Sequence, residues 1–309
     1  FEGRTYFYPI VLGHELAGRV AEVGKEVRGV RIGDRVAIAP LLPCWRCEWC
    51  ARGKYSLCDD YSYLGSRTNG GYAEYVSVPP QNLVSLPPDV DDETGACLEP
   101  AAVVLHGLMK AGVTPGDDVA VIGLGTLGLL AVQLAYILGA GRVFAADLMA
   151  ERRRIAETLG AKSCAEDGQG SSINTILDMT RGRGVDVVIE ATGSPEAPEK
   201  CLELAGKGGH IVCLGLPERD IQLAQKSFRR LVREELTVHG SWNSYSAPFP
   251  GREWQAALHF MATGQLKTKP LITHRFSLDR TKEALMMMKA GDEFFVKVML
   301  IPCTQEEEG

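Results

Sequence analysis

The spacing of apolar and polar positions changes twice along the chain. Between residues 101 and 242, short apolar runs alternate with amphipathic stretches. The apolar runs predict strands at residues 119–122, 142–146, 185–190, 210–214 and 237–240. The stretches between them predict helices at residues 103–111, 127–138, 150–159, 171–180, 195–205 and 227–235. This alternation predicts an α/β domain with a doubly wound parallel sheet.

The residues on either side follow a different pattern. Residues 13–24 and 30–38 combine glycines with β-branched residues, which predicts short strands and tight turns, and residues 64–76 predict a hairpin loop and a strand. Near the C-terminus the pattern predicts helices at 251–263 and 279–289, a strand at 295–301 and a frayed acidic tail at 305–309. We therefore expect a β-rich domain at 1–100 and 243–309, interrupted by the α/β domain at 101–242.

Composition narrows the classes of function. The 309 residues are 45% hydrophobic and 23% charged with a net charge of −6, which is typical of a globular protein. The negative charge argues against nucleic acid or an anionic membrane as the main partner. The chain has neither the apolar run of ~18 residues that a membrane helix needs nor a secretory signal pattern. Its nine cysteines do not suggest a disulfide scaffold in a chain of this length, so we expect a cytoplasmic location.

A glycine-rich turn follows the first strand of the α/β domain. Gly123, Gly125 and Gly128 form a G-x-G-x-x-G pattern between a strand and a helix. The first glycine permits the bend, the second lets a pyrophosphate approach the backbone, and the third lets helix and strand pack closely. The helix N-terminus offers unpaired N–H groups to the same pyrophosphate. The context predicts a dinucleotide site at this turn.

A carboxylate ends the next predicted strand. Asp147 lies at about the distance downstream of the glycine turn at which an acid binds a ribose hydroxyl. An acid there repels a 2′-phosphate, so we expect NAD rather than NADP. Capping of the next helix is the alternative role for Asp147. Arg152, Arg153 and Arg154 follow it and weaken the preference for NAD, unless they lie on a solvated helix face.

Four cysteines cluster at the spacing of metal ligands. Cys44, Cys47 and Cys50 lie at three-residue steps, and Cys58 follows shortly. Four such thiolates can wrap one Zn²⁺ as a closed structural site, which would order a lobe at about residues 43–60 that has little apolar core. Four free thiols or an iron–sulfur cluster are the alternatives.

A second candidate metal site involves His14 and Glu15, which are adjacent in a glycine-rich stretch. Imidazole and carboxylate groups both bind zinc, but a His-Glu pair alone is more often structural. Glu99 lies before Pro100 in an otherwise apolar stretch. Its alternative role is that of an acid at a helix N-terminus, which the helix dipole favours.

Together these features resemble the zinc-containing medium-chain dehydrogenases. The stretch G-H-E-x-x-G-x-V-x-x-V-G from Gly13, the four-cysteine lobe, the glycine turn and Asp147 occur in that family's order. The resemblance implies a Rossmann domain, a GroES-like catalytic domain with a structural zinc lobe, NAD as cofactor, and two Zn²⁺ per subunit, one catalytic and one structural. It also implies a homodimer or homotetramer. The Glu99-Pro100 pair resembles the polyol branch, which includes sorbitol and threonine dehydrogenases.

The resemblance also implies roles for single residues. His14, Glu15 and Glu99 would bind the catalytic zinc or hold its water. The cofactor contacts would be Gly123, Gly125, Thr126, Leu127, Gly128, Asp147, Arg152, Leu214, Gly215, Leu216, Ser241, Trp242 and Asn243, the last two also near the substrate. In the family, a cysteine upstream of the G-H-E stretch completes the catalytic site, but no cysteine precedes Cys44. We therefore expect the N-terminal part of the catalytic domain to be missing from the chain.

Four stretches resemble a branch of the family that oxidises galactitol 1-phosphate: residues 8–15, 40–44, 64–67 and 235–246. Asn243 and Ser244 stand where sorbitol dehydrogenases typically carry Arg-Tyr, which favours the phosphate branch. We expect zinc- and NAD-dependent oxidation of a secondary alcohol, galactitol 1-phosphate to tagatose 6-phosphate. Arg67, and less so Lys54, would bind the phosphate because a planar guanidinium suits bidentate contacts. A surface arginine in a turn is the alternative.

Other functions stay open at this point. A dehydrogenase for an unphosphorylated polyol or for threonine would share every zinc and cofactor feature. A zinc-independent quinone or enoyl reductase would leave the His14-Glu15 pair and the four cysteines without a purpose. A non-catalytic NAD-binding remnant is supported only by the absent upstream cysteine. The strand at 237–240 could lie at a sheet edge and pair across a two-fold axis.

Overall fold

A computed structural model describes residues 9–165 and 171–302 of the chain. The strands are β1 (Ala17–Arg19), β2 (Arg35–Ile38), β3 (Leu41–Leu42), β4 (Ser62–Tyr63), β5 (Leu83–Ser85), β6 (Asp118–Ile122), β7 (Arg142–Asp147), β8 (Lys162–Ala165), β9 (Val185–Glu190), β10 (Ala205–Cys213), β11 (Thr237–Gly240), β12 (Ile272–Ser277) and β13 (Lys297–Ile301). The helices are α1 (Glu48–Ala51), α2 (Asp92–Ala96), α3 (Leu98–Ala111), α4 (Thr126–Ile137), α5 (Ala150–Thr158), α6 (Ser171–Met179), α7 (Ala197–Leu204), α8 (Gln225–Arg233), α9 (Arg252–Ala262) and α10 (Thr281–Ala290). Within the described ranges, none of the helices is long and apolar enough to span a bilayer.

The chain divides into two compact units. The first contains the described residues of Phe1–Ala102, Ser244–Gly264 and Ile272–Gly309, and the second contains those of Val103–Asn243 and Gln265–Leu271. Gln133 attaches the last of these segments to the second unit. Its Nε2 donates to the carbonyl of Lys267 at 3.0 Å, and its Oε1 accepts the N–H of Lys267 at 2.8 Å. The acidic tail at 305–309 lies outside the described residues.

The second unit is built on a six-stranded sheet in the order β11-β10-β9-β6-β7-β8. All neighbouring strands run parallel. The chain moves outward from β6 to β8 and then returns to the other side of β6, so the strand order reverses between β6 and β9. Open α/β sheets bind ligands at the carboxyl ends of the strands where this reversal occurs. The predicted doubly wound α/β fold is confirmed, and residues 237–240 form an edge strand as expected.

The core of the second unit fixes the position of the strand ends. All five residues of β6 are buried, and so is the part of α4 from Gly128 to Ala135. An α-helix that is apolar on all sides is typical of one enclosed by protein. Phe144, on β7, is fully buried in the same core. This packing holds the turn between β6 and α4 in place.

The first unit consists of small sheets joined by long loops. Among the described residues, β1, β2 and β5 form an antiparallel sheet, β3 pairs with β4, and β12 pairs in parallel with β13. Val36, Ile38 and Leu64 form its buried cluster, with Leu16 and Val20 packed against them. This unit is the β-rich, GroES-like part of the predicted fold.

The strand predicted within residues 64–76 is wrong. The N–H groups of residues 70–72 donate to carbonyls of residues 11–13, but in an order that does not advance evenly along the partner segment, so no ladder forms. The strand predicted within 13–24 is limited to β1. Helix α3 begins at Leu98 rather than at 103, and β10 begins at Ala205, with a register shift before His210. The other predicted helices differ from the observed ones by two residues or fewer at each end.

Candidate active site

The four cysteines of the predicted zinc lobe lie together. Helix α1 begins after Cys47, whose Sγ accepts the N–H of Cys50 at 3.5 Å. The four Sγ atoms lie within 4.8 Å of one another, and those of Cys44 and Cys50 are 4.0 Å apart. Tetrahedral zinc with Zn–S bonds of about 2.3 Å places its sulfur atoms about 3.8 Å apart. The cluster therefore has the size of a Cys₄ zinc site.

Backbone N–H groups favour a thiolate in this lobe. Cys44 Sγ accepts the N–H of Cys47 at 3.4 Å, and Cys58 Sγ accepts the N–H of Cys44 at 3.2 Å. The N–H of Arg46, with a smaller effect from Cys47, lowers the pKa of Cys44 to about 6, whereas burial raises the pKa of Cys50 to about 12. Coordination to a divalent cation favours deprotonation of all four thiols, so this donor set fits a structural zinc.

Contacts within the first unit tie the zinc lobe to residues 245–249. The rings of Trp45, Tyr55 and Phe249 meet edge to face, with centroids 5.2 to 5.5 Å apart. Ser56 lies between the third and fourth cysteines, and its Oγ accepts the N–H of Tyr245 at 2.9 Å. The Tyr245 ring is 2% exposed, and its hydroxyl interacts with the hydroxyl of Tyr63. The lobe is thereby connected to side chains near Glu99.

His14 follows a glycine that the local fold requires. Gly13 has φ +94°, and a Cβ there would lie 2.4 Å from Cδ1 of Tyr72. A Cβ on either Gly65 or Gly70 would lie 2.1 Å from the Gly13 carbonyl oxygen. Only glycines allow these segments to approach one another so closely. The segment at residues 65–71 therefore packs against the backbone that presents His14.

His14, Glu15 and Glu99 form a second donor cluster, with one ligand atom from each within 4.8 Å of the others. Glu99 lies in the first turn of α3 and is 6% exposed. Burial raises the pKa of Glu99 to about 7, although a hydrogen bond from the Tyr63 hydroxyl at 2.9 Å opposes the rise. Burial and, second, the charge of Lys297 lower the pKa of His14, which favours the neutral imidazole that binds metals. One imidazole and two carboxylates fit a zinc ion.

Sequence reasoning missed two residues of this cluster. The Tyr63 ring meets the His14 ring edge to face with centroids 5.6 Å apart, and its hydroxyl donates to Glu99. Lys297, on β13, forms an ion pair with Glu15, and burial lowers its pKa to about 8. A lysine inside the apolar run of residues 295–301 is the signal that could have revealed Lys297, because lysines are rarely buried without a partner. Tyr63 has no comparable signal.

The glycine turn lies at the carboxyl end of β6. Gly123 has φ +92°, and a Cβ there would lie 2.6 Å from Cγ2 of Thr192. A Cβ on Gly128 would lie 1.8 Å from the Gly123 carbonyl oxygen. Gly125 precedes α4, whose first residues are Thr126 and Leu127, and a Cβ on Gly125 would meet nothing within 4 Å. Open space beside the N-terminus of a buried helix fits a pyrophosphate group.

Asp147 ends β7 next to this turn. Its Oδ2 accepts the N–H of Leu124 at 2.7 Å, and its Oδ1 accepts the N–H of Met149 at 2.8 Å. Arg152 Nη1 lies 3.7 Å from Oδ2. The carboxylate thus joins the glycine turn to Met149, the N-cap residue of α5. It bonds the residue before the helix and not an N–H of the first helical turn, so its position beside the glycine turn is its main structural feature.

Residues 214–216 and 241–243 follow β10 and β11, whose carboxyl ends lie on the same edge of the sheet as the glycine turn. A Cβ on Gly215 would lie 2.2 Å from the nitrogen of Gly193. Ser241 Oγ and Asn243 Nδ2 are buried without a hydrogen-bond partner in the part of the chain that is described. Unpaired buried polar atoms suit a polar ligand such as a nicotinamide carboxamide, because a ligand would satisfy them.

Arg67, the candidate for phosphate binding, interacts with its own loop. Its Nη1 donates to the carbonyl of Tyr61 at 2.7 Å, and its guanidinium lies 3.7 Å from the centroid of the Tyr61 ring. One N–H group and one face of the guanidinium are therefore engaged. Lys54, the second candidate, is exposed and precedes a short 3₁₀ turn of the zinc lobe.

Two family profiles match the chain. The family described as zinc-binding dehydrogenase matches residues 126–263, and the alcohol dehydrogenase GroES-like domain matches residues 1–88. The first match begins at the start of α4, next to the glycine turn, and the second covers both the zinc lobe and the His14-Glu15 pair.

Individual proteins give the same result. Galactitol 1-phosphate 5-dehydrogenase from Escherichia coli is 38% identical, covering 98% of this chain and 87% of that protein, and sorbitol dehydrogenase from Bacillus subtilis is 32% identical, covering 95% and 81%. The crystal structure of the E. coli galactitol-1-phosphate dehydrogenase aligns with a TM-score of 0.89, covering 96% of this chain and 85% of that one. A Sinorhizobium meliloti structure described as a zinc-binding dehydrogenase bound to NADP is 34% identical, with a TM-score of 0.86 and coverage of 96% and 85%. The chain therefore belongs to the zinc-binding medium-chain dehydrogenases, which are oxidoreductases that act on small molecules with zinc and a nicotinamide cofactor.

Proposed function

We propose that the protein oxidises a secondary hydroxyl of a sugar-alcohol phosphate with NAD, converting galactitol 1-phosphate to tagatose 6-phosphate. The observation that carries the proposal is the His14, Glu15 and Glu99 donor cluster in a chain that is 38% identical to galactitol 1-phosphate 5-dehydrogenase over 98% of its length. In this reaction the alcohol carbon loses a hydride to NAD and the hydroxyl loses a proton, which gives a ketone, NADH and H⁺.

The residues of the cluster have separate tasks in this proposal. A zinc ion held there would supply Lewis-acid chemistry at the hydroxyl group, and a nicotinamide cofactor would supply the hydride acceptor. His14 and Glu99 hold the metal, and Glu15 is either a ligand or held aside by its ion pair with Lys297. Glu99 would also accept the proton of the hydroxyl group when water displaces its carboxylate from the metal. Tyr63 orients Glu99 through its 2.9 Å hydrogen bond.

NAD is the proposed cofactor, bound at Gly123, Gly125, Thr126, Leu127 and Gly128, with the nicotinamide near residues 214–216 and 241–243. Asp147 supports NAD over NADP because its carboxylate lies beside the glycine turn and repels a 2′-phosphate. Arg152 lies close to the same carboxylate and would contact the adenosine ribose. The Sinorhizobium meliloti relative is described as bound to NADP, and a comparison of kcat/KM for NAD and NADP tests the preference of this chain.

The decisive experiment is NADH formation on galactitol 1-phosphate beside galactitol, sorbitol and threonine. Activity confined to the phosphate is expected. Activity on sorbitol or threonine instead would support the second candidate, an unphosphorylated polyol or threonine dehydrogenase, which the 32% identity to a sorbitol dehydrogenase favours. Absence of activity on all four, in protein that contains the catalytic zinc, would leave the substrate unassigned. Absence of both activity and catalytic zinc would favour a non-catalytic remnant.

Arg67 is the proposed phosphate contact. Arg67→Ala should raise the KM for galactitol 1-phosphate by about tenfold, since a charge-assisted hydrogen bond contributes about 1.5–3 kcal/mol, and should leave the KM for NAD unchanged. Arg46→Ala is the matched control, because Arg46 lies on the zinc lobe with its side chain 81% exposed. If both variants keep the wild-type KM, Arg67 does not bind the phosphate and Lys54 becomes the candidate.

We further propose a cytoplasmic homodimer or homotetramer. The edge strand β11 leaves backbone groups available for pairing across a two-fold axis, and Val238 on it is 48% exposed. The cysteines whose side chains the structure describes form no disulfide, which suits a reducing compartment. Light scattering of the purified protein tests the assembly, and a Val238→Asp variant should shift it toward the monomer if β11 forms the interface.

A further inference from the structure

Glu190 is a buried carboxylate that none of the sequence motifs includes. It is the last residue of β9 and is 1% exposed. It lies opposite Ile122 on β6 and Cys213 on β10, each of which immediately precedes a segment that we assign to the cofactor. Glu190 therefore lies between the glycine turn and the segment at 214–216, at the point where the strand order reverses.

The Oε1 atom of Glu190 is surrounded by donors. It accepts the N–H of Thr192 at 2.7 Å, the hydroxyl of Thr192 at 2.5 Å and the N–H of Gly193 at 3.0 Å. Among the described residues, no lysine or arginine forms an ion pair with this carboxylate. A buried carboxylate without a cation requires such donors, and hydrogen bonds to a charged acceptor are about twice as strong as neutral ones. The carboxylate thus fixes the loop that follows its own strand.

The loop that follows β9 also packs directly against the glycine turn. A Cβ on Gly123 would lie 2.6 Å from Cγ2 of Thr192 and 3.0 Å from the carbonyl carbon of Ala191. The N–H of Ala191 donates to the carbonyl of Ile122 at 2.9 Å. A shift of the loop would consequently move the turn at which the pyrophosphate is proposed to bind.

The same residue also holds the segment at 214–216. The Glu190 carbonyl accepts the N–H groups of Leu214 at 2.9 Å and of Gly215 at 3.3 Å. A Cβ on Gly215 would lie 2.6 Å from Oε2 of Glu190 and 2.2 Å from the nitrogen of Gly193. The loop after β9 and the segment at 214–216 therefore meet at Glu190. Gly193 and Gly215 lie where the two approach most closely.

We propose that Glu190 is a positioning residue for the nicotinamide cofactor. Its charged Oε1 holds Thr192 and Gly193, and its carbonyl holds Leu214 and Gly215, so that the cofactor meets two preformed loops. The inference rests on the proposed use of a nicotinamide cofactor at this turn. Preorganisation acts on affinity because loops that are already ordered need not be ordered on binding.

The test is the Kd of NADH, measured from its fluorescence, for the holoprotein and four variants. Glu190→Gln keeps the shape but removes the charge from Oε1, and should raise the Kd about tenfold because the charge-assisted bonds become neutral. Thr192→Val removes one donor and should raise the Kd about threefold. Thr192→Ser keeps the hydroxyl and should retain the wild-type Kd for NADH. Glu196→Gln is the control, since Glu196 is exposed and bonds only Ser194, Arg219 and its own local backbone.

Further measurements separate positioning from stability. In Glu190→Gln the KM for NAD should rise while the zinc content and the kcat at saturating NAD stay close to those of the wild type. A Glu190→Gln variant with a lower Tm but an unchanged Kd for NADH would show a purely structural role and overturn the inference. If the wild type binds NADH and both Glu190→Gln and Thr192→Val bind it with the same Kd, the inference is overturned but the proposed function is not. Failure of the wild type to bind NADH would overturn the proposed function and the inference with it.

Discussion

Two glycines of the cofactor turn should respond oppositely to the same substitution. Gly125 has φ −69° and ψ −166°, which alanine adopts without strain, and a Cβ there would meet nothing within 4 Å. Gly125→Ala should therefore leave the free energy of unfolding within about 1 kcal/mol of the wild type, with a small gain because alanine restricts the unfolded chain.

The same methyl group should remove most of the cofactor affinity. It would fill the open space beside the N-terminus of α4, where we propose that a pyrophosphate approaches the backbone N–H groups. Each hydrogen bond to a charged group contributes about 1.5–3 kcal/mol, so losing two of them corresponds to an increase of ~100-fold or more in the Kd for NADH.

Gly128→Ala is the matched control, because it adds the same methyl group at the third residue of α4. Alanine is favoured over glycine by about 1 kcal/mol in a helix interior. Here, however, the Cβ would lie 1.8 Å from the carbonyl oxygen of Gly123, so backbone atoms must move. We expect Gly128→Ala to lower the free energy of unfolding by about 3 kcal/mol, the upper range of overpacking.

Urea unfolding measures the first quantity and NADH fluorescence titration the second. The reasoning is supported if Gly125→Ala is as stable as the wild type but does not bind NADH. If Gly125→Ala binds NADH with wild-type affinity, the pyrophosphate does not lie against this turn and the assignment is refuted. If Gly128→Ala is as stable as the wild type, the close approach of α4 to the turn is refuted.

Three further outcomes follow from the structure. Cys50→Ser should reduce the zinc content from about two ions to about one and lower the Tm, whereas Cys97→Ser, at a buried thiol outside the cluster, should leave the zinc content unchanged. In zinc-free protein, Glu99 has a pKa of about 7 against 4.5 in the unfolded chain, so its contribution to stability is fully present below pH 4.5 and is lost as the pH rises to 7. The difference in free energy of unfolding between wild type and Glu99→Gln should therefore change by about 3 kcal/mol between pH 4.5 and 8 in urea titrations; a constant difference would contradict the buried position of Glu99. The kcat/KM for NAD should exceed that for NADP by about tenfold or more because of the Asp147 carboxylate, and equal values would contradict that role.

Features that are local in sequence could be predicted well. The predicted bounds of β9 and β11 match the observed ones. For β9 the reason is burial, since a strand covered on both faces is mostly apolar, whereas β11 is an exposed edge strand that was recognised from its place in the α/β alternation. The four cysteines lie within one short segment, so their clustering could be predicted without knowing how the rest of the chain folds. The residues of the glycine turn are also consecutive. Their bend requires a positive φ angle at Gly123, which glycine adopts readily.

Contacts between distant segments could not be predicted in this way. Tyr63 reaches Glu99, and Lys297 reaches Glu15, only because the fold brings separate strands and a helix together. Neither a single tyrosine nor a single lysine produces a periodic pattern. The grouping of His14 with Glu99 was implied by the family resemblance and not by spacing. The strand predicted within 64–76 failed for a related reason, since glycines there serve close backbone packing rather than a hairpin.

Three carboxylates of this chain differ in how their surroundings compensate for the loss of water, and this difference distinguishes a structural role from a chemical one. Burying a carboxylate is unfavourable unless hydrogen bonds or a cation compensate for the lost water. Glu190 has three donors on one oxygen, and the half-buried Glu15 has the Lys297 ammonium, so both are compensated by the protein itself. Glu99 is 6% exposed with one hydrogen bond from Tyr63 among the described residues, and its pKa is raised to about 7. A cation held beside His14, as proposed, would supply the missing compensation, so Glu99 supports the proposed metal centre more strongly than its neighbours do.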